Sequence, residues 1–125
     1  INKFCFYTFL KKPLPIWKSM MNKPRPYLSL KDAFKVIKFT IEKDFFTNEN
    51  FNILSNNLTL KKIIKYFRKY KRNIKIKYEN SKLINQYSYM VSNKKFTHRA
   101  FNLKANIGDD IKSTLKIFGN INNEM

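Results

Sequence analysis

The chain contains two glycines, Gly108 and Gly119, eleven residues apart and both in its last quarter. That scarcity limits what its 125 residues can build. A dinucleotide cradle needs closely spaced glycines so that backbone amides at a helix N-terminus can approach the pyrophosphate. Neither G-x-G-x-x-G nor G-x-x-G-x-x-G can be drawn anywhere in the sequence. A chain of this length nevertheless buries roughly two-thirds of its unfolded surface on folding, enough for a true core. Apolar residues make up 43% of it and aromatics 16%, which argues against disorder despite the charge. The length is that of one domain or part of one.

The net charge of +18, from 26 basic and 8 acidic residues, invites a nucleic-acid reading. Against it, Lys, Asn, Ile, Phe and Tyr are abundant together, all encoded by A/T-rich codons, and only four basic residues are Arg. Recognition of phosphates and base edges favours the bidentate fork of Arg. Cys5 is the single cysteine, so no internal disulfide forms, and its setting between Phe4 and Phe6 suits packing. No apolar run approaches the ~20 residues of a membrane span, and the N-terminal apolar stretch, broken by Lys11 and Lys12, lacks a signal-peptide cleavage site. A cytoplasmic protein without a membrane is the expectation.

Periodicity places the elements. Phe4, Phe6, Tyr7 and Leu10 suit the end of a buried helix, stopped by Lys11-Lys12-Pro13. Leu14–Trp17 reads as a short extended edge segment, because Pro15 cannot donate to a ladder. Residues 18–26, with Pro24 and Pro26, read as a loop, and Tyr27–Leu30 as an extended lead-in. Ser29 and Asp32 have capping-box spacing before a helix whose inward face is read as Ala33, Val36, Ile37, Thr40 and Ile41, ending near Asp44. Phe51–Leu54 reads as a strand and Asn56-Asn57 as a turn. Thr59 reads as the N-cap of a helix with Leu60, Ile63, Ile64 and Phe67 inward. Ile74–Tyr78 and Tyr89–Ser92 read as strands, 93–99 as a short helix. Asp109 opens a last helix with Ile111, Leu115 and Phe118 inward, Gly119 as C-cap, and 119–125 as a frayed tail.

Acid–base chemistry is thinly supplied. Tyr-x-x-x-Lys spacing, which on a helix lets an ammonium lower a phenol pKa, occurs at Tyr7/Lys11, Tyr27/Lys31 and Tyr78/Lys82, a recurrence that the many lysines make unremarkable. His98 stands alone, with no cluster of metal-ligand types around it. Asp109-Asp110 suits a helix start, where negative charge meets the dipole. The stretch 60–72 carries seven positive charges, with Tyr66 and Tyr70 available in principle to stack on bases.

Four segments together carry a resemblance. Lys12-Pro13-Leu14-Pro15-Ile16-Trp17 resembles a G-x-P-L-x-V-Tyr/Trp stretch without its glycine. Arg25-Pro26-Tyr27-Leu28-Ser29-Leu30-Lys31-Asp32-Ala33 is similar to an Arg-x-Phe/Tyr-Val-x-Val-x-Asp-Val/Ala element. Phe51-Asn52-Ile53-Leu54-Ser55 looks like Tyr/Phe-Asn-Val-Gly-x, with Leu54 at the glycine position. Farther on, Ser88-Tyr89-Met90-Val91-Ser92-Asn93 resembles an Arg-Tyr-x-x-Asp motif, with Ser88 at the arginine, and Ala100-Phe101 replaces Gly-Phe. In this order they resemble the closing half of the NAD-dependent epimerase/dehydratase family, the extended short-chain dehydrogenases that modify sugar nucleotides.

The resemblance implies an α/β chain: the C-terminal fragment of an extended Rossmann-type enzyme, one late sheet strand plus a small substrate-binding subdomain, with residues 1–125 a single partial domain. It implies a nucleotide-sugar substrate, Arg25 on its phosphates, Trp17 lining its pocket, and Asp32 in a conformational rather than catalytic role. NAD or NADP, and hydride transfer leading to epimerisation or dehydration, would belong to an N-terminal Rossmann half, so the chain alone is expected to be inactive. The first residue, Ile1, sits in an element already under way, which fits a partial reading frame. The alternative from another class is a small basic nucleic-acid-binding module using helix 60–72.

Overall fold

A computed structural model of the chain describes residues 1–80 and 88–121. It is a mixed α/β structure with two small sheets. Helix α1 (Asn2–Phe9) ends where Lys11 turns to a φ of 55°, ahead of Pro13. Short of glycine, the chain also puts Asp44 (φ 47°) and Asn48 (φ 51°) into left-handed conformations, and Asp44 does so just past the end of α2 (Leu30–Glu42).

Strand β1 (Leu14–Trp17) pairs in parallel with β4 (Ile76–Glu79), Leu14 opposite Ile76 and Trp17 opposite Glu79. In a two-stranded sheet both strands are edges, which is how Pro15 is tolerated. Leu14 and Ile16 face inward onto Ile64 of α3 (Leu60–Tyr70), with Phe4 and Ile74 packed alongside.

The segment expected to be a loop is instead a 3₁₀ turn (Lys18–Met20) followed by strand β2 (Pro24–Tyr27). β2 pairs antiparallel with β3 (Asn56–Thr59), Arg25 opposite Leu58. Prolines at i and i+2 withhold both amides from the same edge, so β2 pairs on its other edge alone. The strand expected at Phe51–Leu54 lies five residues too early, since β3 is Asn56–Thr59. Asn56 and Asn57, read as a turn, are ladder residues, and Phe51 belongs to an aromatic cluster.

Helix α3 follows its sequence pattern. Thr59 caps it, accepting from the Lys62 amide at 3.3 Å, and Ile63, Ile64 and Phe67 are buried. With Cys5, Leu58, Ile107 and Ile111, Ile63 and Phe67 form the main core between α1, α3 and α5 (Ile107–Ile121). α5 starts two residues before Asp109, because the Asn106 side chain accepts from the Gly108 amide at 2.8 Å. Gly108 is needed for a close approach: a Cβ there would lie 2.8 Å from Cδ1 of Tyr66. Gly119 is not a C-cap, since the helix runs on to Ile121; the last four positions of the expected frayed tail lie outside the described residues.

Helix α2 departs from its expected orientation. Its packed face carries Asp32, Ala33, Val36, Phe39 and Thr40, while Ile37 and Ile41 are exposed. Asp32 fixes this. It is fully buried, and its Oδ2 accepts from Ser55 Oγ at 2.6 Å and from the Ala105 amide at 3.1 Å. Ser29 caps α2 by accepting from the Lys31 amide, but its own amide donates to Ser55 Oγ at 2.9 Å rather than to Asp32. The capping box is thus closed through a residue 26 positions away.

Residues 88–106 contain one short helix, α4 (Lys94–Arg99), and asparagine side chains hold the remainder in place. Asn57 donates to the Val91 carbonyl (2.9 Å) and accepts from the Val91 amide (3.1 Å), as a neighbouring strand would. Asn56 donates to the Ala105 carbonyl and Asn93 to that of Leu54. The strand expected at Tyr89–Ser92 is absent because an amide side chain takes the place of its ladder. Phe96 is buried among Phe45, Phe51 and Phe101, with ring centroids 5.3–6.5 Å away.

Candidate functional site

Because β1 and β4 run in parallel, Trp17 and Glu79, paired in register, both lie at the strands' carboxyl ends. They open onto a cleft of about 270 Å³. Arg25 and Tyr27 enter it from β2: two residues apart on a strand, they share a face. Lys3 of α1 and Lys23, just ahead of β2, bring two further cations. Phe4, Pro15, Met20 and Leu60 supply the apolar lining. The walls thus hold three cations, one carboxylate and two aromatic rings with polar tips.

Burial raises the pKa of Tyr27, and the neighbouring Arg25 guanidinium only partly offsets it. Its hydroxyl is a neutral donor throughout the physiological range. Arginine suits phosphate because its planar fork pairs bidentately with two oxygens. Indole and phenol rings offer faces to a flat or ring-shaped group. An anionic ligand carrying a ring system is therefore what the cleft is equipped to hold. Its volume falls just under the ~300–1,000 Å³ typical of ligand pockets, room for a phosphate group and one ring.

The structure brings Trp17 and Arg25, singled out in the sequence from separate motifs, to this one cleft. Lys3, Lys23 and Glu79 carry no local sequence signal, since they converge only through the parallel pairing and the docking of α1. The shared face of Arg25 and Tyr27 is a signal that sequence reading could have used, had the prolines not suggested a loop.

None of the three Tyr-x-x-x-Lys pairs sits on one helix. Tyr7 lies in α1, but Lys11 is past its end, and Lys3 lies over the Tyr7 ring instead, 5.4 Å from its centroid. Tyr27 closes β2 whereas Lys31 is in α2. Tyr78 is in β4, and Lys82 lies outside the described residues. His98 is exposed on α4, and Asp109 and Asp110 occupy the first turn of α5. On α3, Lys61, Lys62, Lys65, Arg68 and Lys69 are exposed, and Tyr66 and Tyr70 are half-buried against the core. Cys5 is buried, which pushes its thiol up to about 11 and leaves it inert.

The residues present do not fit a dinucleotide. Gly108, one of only two glycines, is covered by the Tyr66 ring, and Gly119 lies within α5. Neither offers a backbone that a pyrophosphate can approach. Among the described residues, no helix is long and apolar enough to cross a membrane. The chain matches no protein-family model, and no curated protein matches it at a significant level.

Proposed function

We propose that the chain is the substrate-binding portion of an NAD(P)-dependent epimerase/dehydratase acting on a nucleotide-activated sugar, the C-terminal part of an extended Rossmann-type enzyme. One observation carries the reading. The arginine and the tryptophan that stand at the family-like positions line the same cleft, at the carboxyl ends of a parallel strand pair. Open α/β sheets bind their ligands at that end.

In this reading Arg25 grips one phosphate of the ligand, with Lys3 and Lys23 adding charge, and Trp17 and Tyr27 flank one of its rings. The chain contributes orientation: holding the sugar in one pose lowers the entropic cost of the chemical step. Hydride transfer to and from NAD or NADP belongs to a separate cofactor-binding half, because no backbone among the described residues is suited to the dinucleotide. Asp32 acts by tying α2 to Ser55 and Ala105, and the Ser55 amide in turn donates to the Tyr27 carbonyl at the end of β2, which sets the position of the Arg25 strand.

Calorimetric titration of the chain with a uridine or thymidine diphosphate sugar tests the proposal. Saturable binding is expected, weakened by about tenfold or more in Arg25→Ala and partly restored in Arg25→Lys. Binding that is indifferent to Arg25 refutes it, as does tighter, steeply salt-dependent binding to duplex DNA.

A further inference from the structure

Helix α2 is apolar on two faces. One is packed against the chain through Asp32, Val36 and Phe39. The other carries Leu30, Phe34, Ile37 and Ile41, at i, i+4, i+7 and i+11, exposed by 83%, 66%, 60% and 67%. At ~100° per residue these four form a straight stripe on the far side of the helix from the packed face. Together they leave roughly 500 Å² of apolar surface in water, in the range that marks an interaction site. The stripe does not stand alone. Leu30 and Phe34 also line a groove together with Tyr27, Ile107, Ile117 and Phe118. Tyr27 and Lys3 line both this groove and the cleft, so the two adjoin at these residues.

Charge narrows the occupant. On one flank of the stripe run Lys31, Lys35 and Lys38; on the other are the small residues Ala33 and Thr40. A second copy would set these lysines against their own equivalents, in a chain of net charge +18. A lipid surface is flat, whereas the apolar surface here includes a concave groove that fits a ridge of side chains. We propose that this face docks one amphipathic α-helix of a partner polypeptide, with apolar residues at helical spacing in the groove and acidic residues along the edge that meets the lysines. Given the function proposed above, that helix belongs to the cofactor-binding half, and by covering Tyr27 and Lys3 it completes the outer wall of the cleft. A helix with two apolar faces is built to be buried on both.

The test uses the full chain and two synthetic helical peptides with the same leucine stripe, one flanked by Glu and one by Lys. The Glu-flanked peptide is expected to bind at least about tenfold more tightly than its Lys-flanked counterpart at low salt. A Phe34→Ser/Ile37→Ser variant is expected to lose about tenfold or more in that affinity while keeping its melting temperature, because both residues are exposed. Four outcomes overturn the proposal: equal binding of the two peptides, no binding, stripe-dependent self-association in light scattering, or stripe-dependent binding to phosphatidylserine vesicles. In the unaltered chain, absence of peptide docking with sugar-nucleotide binding present refutes the docking surface alone; peptide docking without sugar-nucleotide binding refutes the cleft assignment alone.

Discussion

Replacing Asp32 by Ala tests how the site is held. In the native chain Asp32 Oδ2 accepts two hydrogen bonds, from Ser55 Oγ at 2.6 Å and from the Ala105 amide at 3.1 Å, at a fully buried position. The substitution leaves two donors without that acceptor, each at about 1–3 kcal/mol, and opens a small void. Asp32→Ala should therefore cost about 2–5 kcal/mol, a large share of the ~5–15 kcal/mol that holds a domain of this size together. Ser55→Ala removes one of the same bonds and also the acceptor of the Ser29 amide, which predicts a loss of about 1–3 kcal/mol. Because the Ser55–Asp32 bond is counted in both single changes, the double variant should be less destabilised than their sum by about 1–2 kcal/mol. Urea unfolding followed by circular dichroism measures all four corners of the cycle. Additivity within ~0.5 kcal/mol, or a cost below ~1 kcal/mol for Asp32→Ala, would refute the claim that this network ties β2 and α2 together.

Phe96→Ala should cost about 3–5 kcal/mol in the same assay, because its buried ring contacts three other aromatic rings and the deletion leaves a cavity. Alkylation of Cys5 by iodoacetamide at pH 8 should be slow in the folded chain and rapid in urea, since burial raises the thiol to about 11; equal rates would contradict this. Glu49 is held below its ordinary value of 4.5 by hydrogen bonds from Lys95 and Arg99. A lowered folded pKa stabilises the fold above the unfolded value, and that contribution fades as pH falls from 4.5 through the folded value. Glu49→Gln should flatten this part of the stability profile, and an unchanged acid slope would argue against the clamp.

Strong helical periods were legible in the sequence. Leu60, Ile63, Ile64 and Phe67 chose the buried face of α3, and Thr59 its start, because one apolar stripe and one cap pointed the same way. α2 was misread for the opposite reason. Apolar residues lie on two of its faces, and the choice between them depends on Asp32 meeting Ser55 and Ala105, 23 and 73 residues away. β2 was hidden by Pro24 and Pro26, which look like loop formers until their shared edge is seen to face away from the partner strand. β3 and the absent strand at Tyr89–Ser92 were hidden by asparagines: Asn56 and Asn57 have turn chemistry, yet here they sit in a ladder and extend it sideways through their amides. The candidate site was partly legible. Arg25 and Trp17 came from family-like motifs, whereas Lys3, Lys23 and Glu79 reach the cleft only through pairings that span most of the chain.

Trp17 is the only tryptophan in the chain and lines the cleft, so its fluorescence reports directly on occupancy. Titrating the intact chain with a nucleoside diphosphate sugar while exciting the indole should give a saturable change in emission. Arg25→Ala should shift that curve to higher concentration by about tenfold or more. An emission spectrum that stays constant to millimolar ligand, or a curve that Arg25→Ala leaves in place, would contradict the central claim that Arg25 and Trp17 jointly hold the substrate.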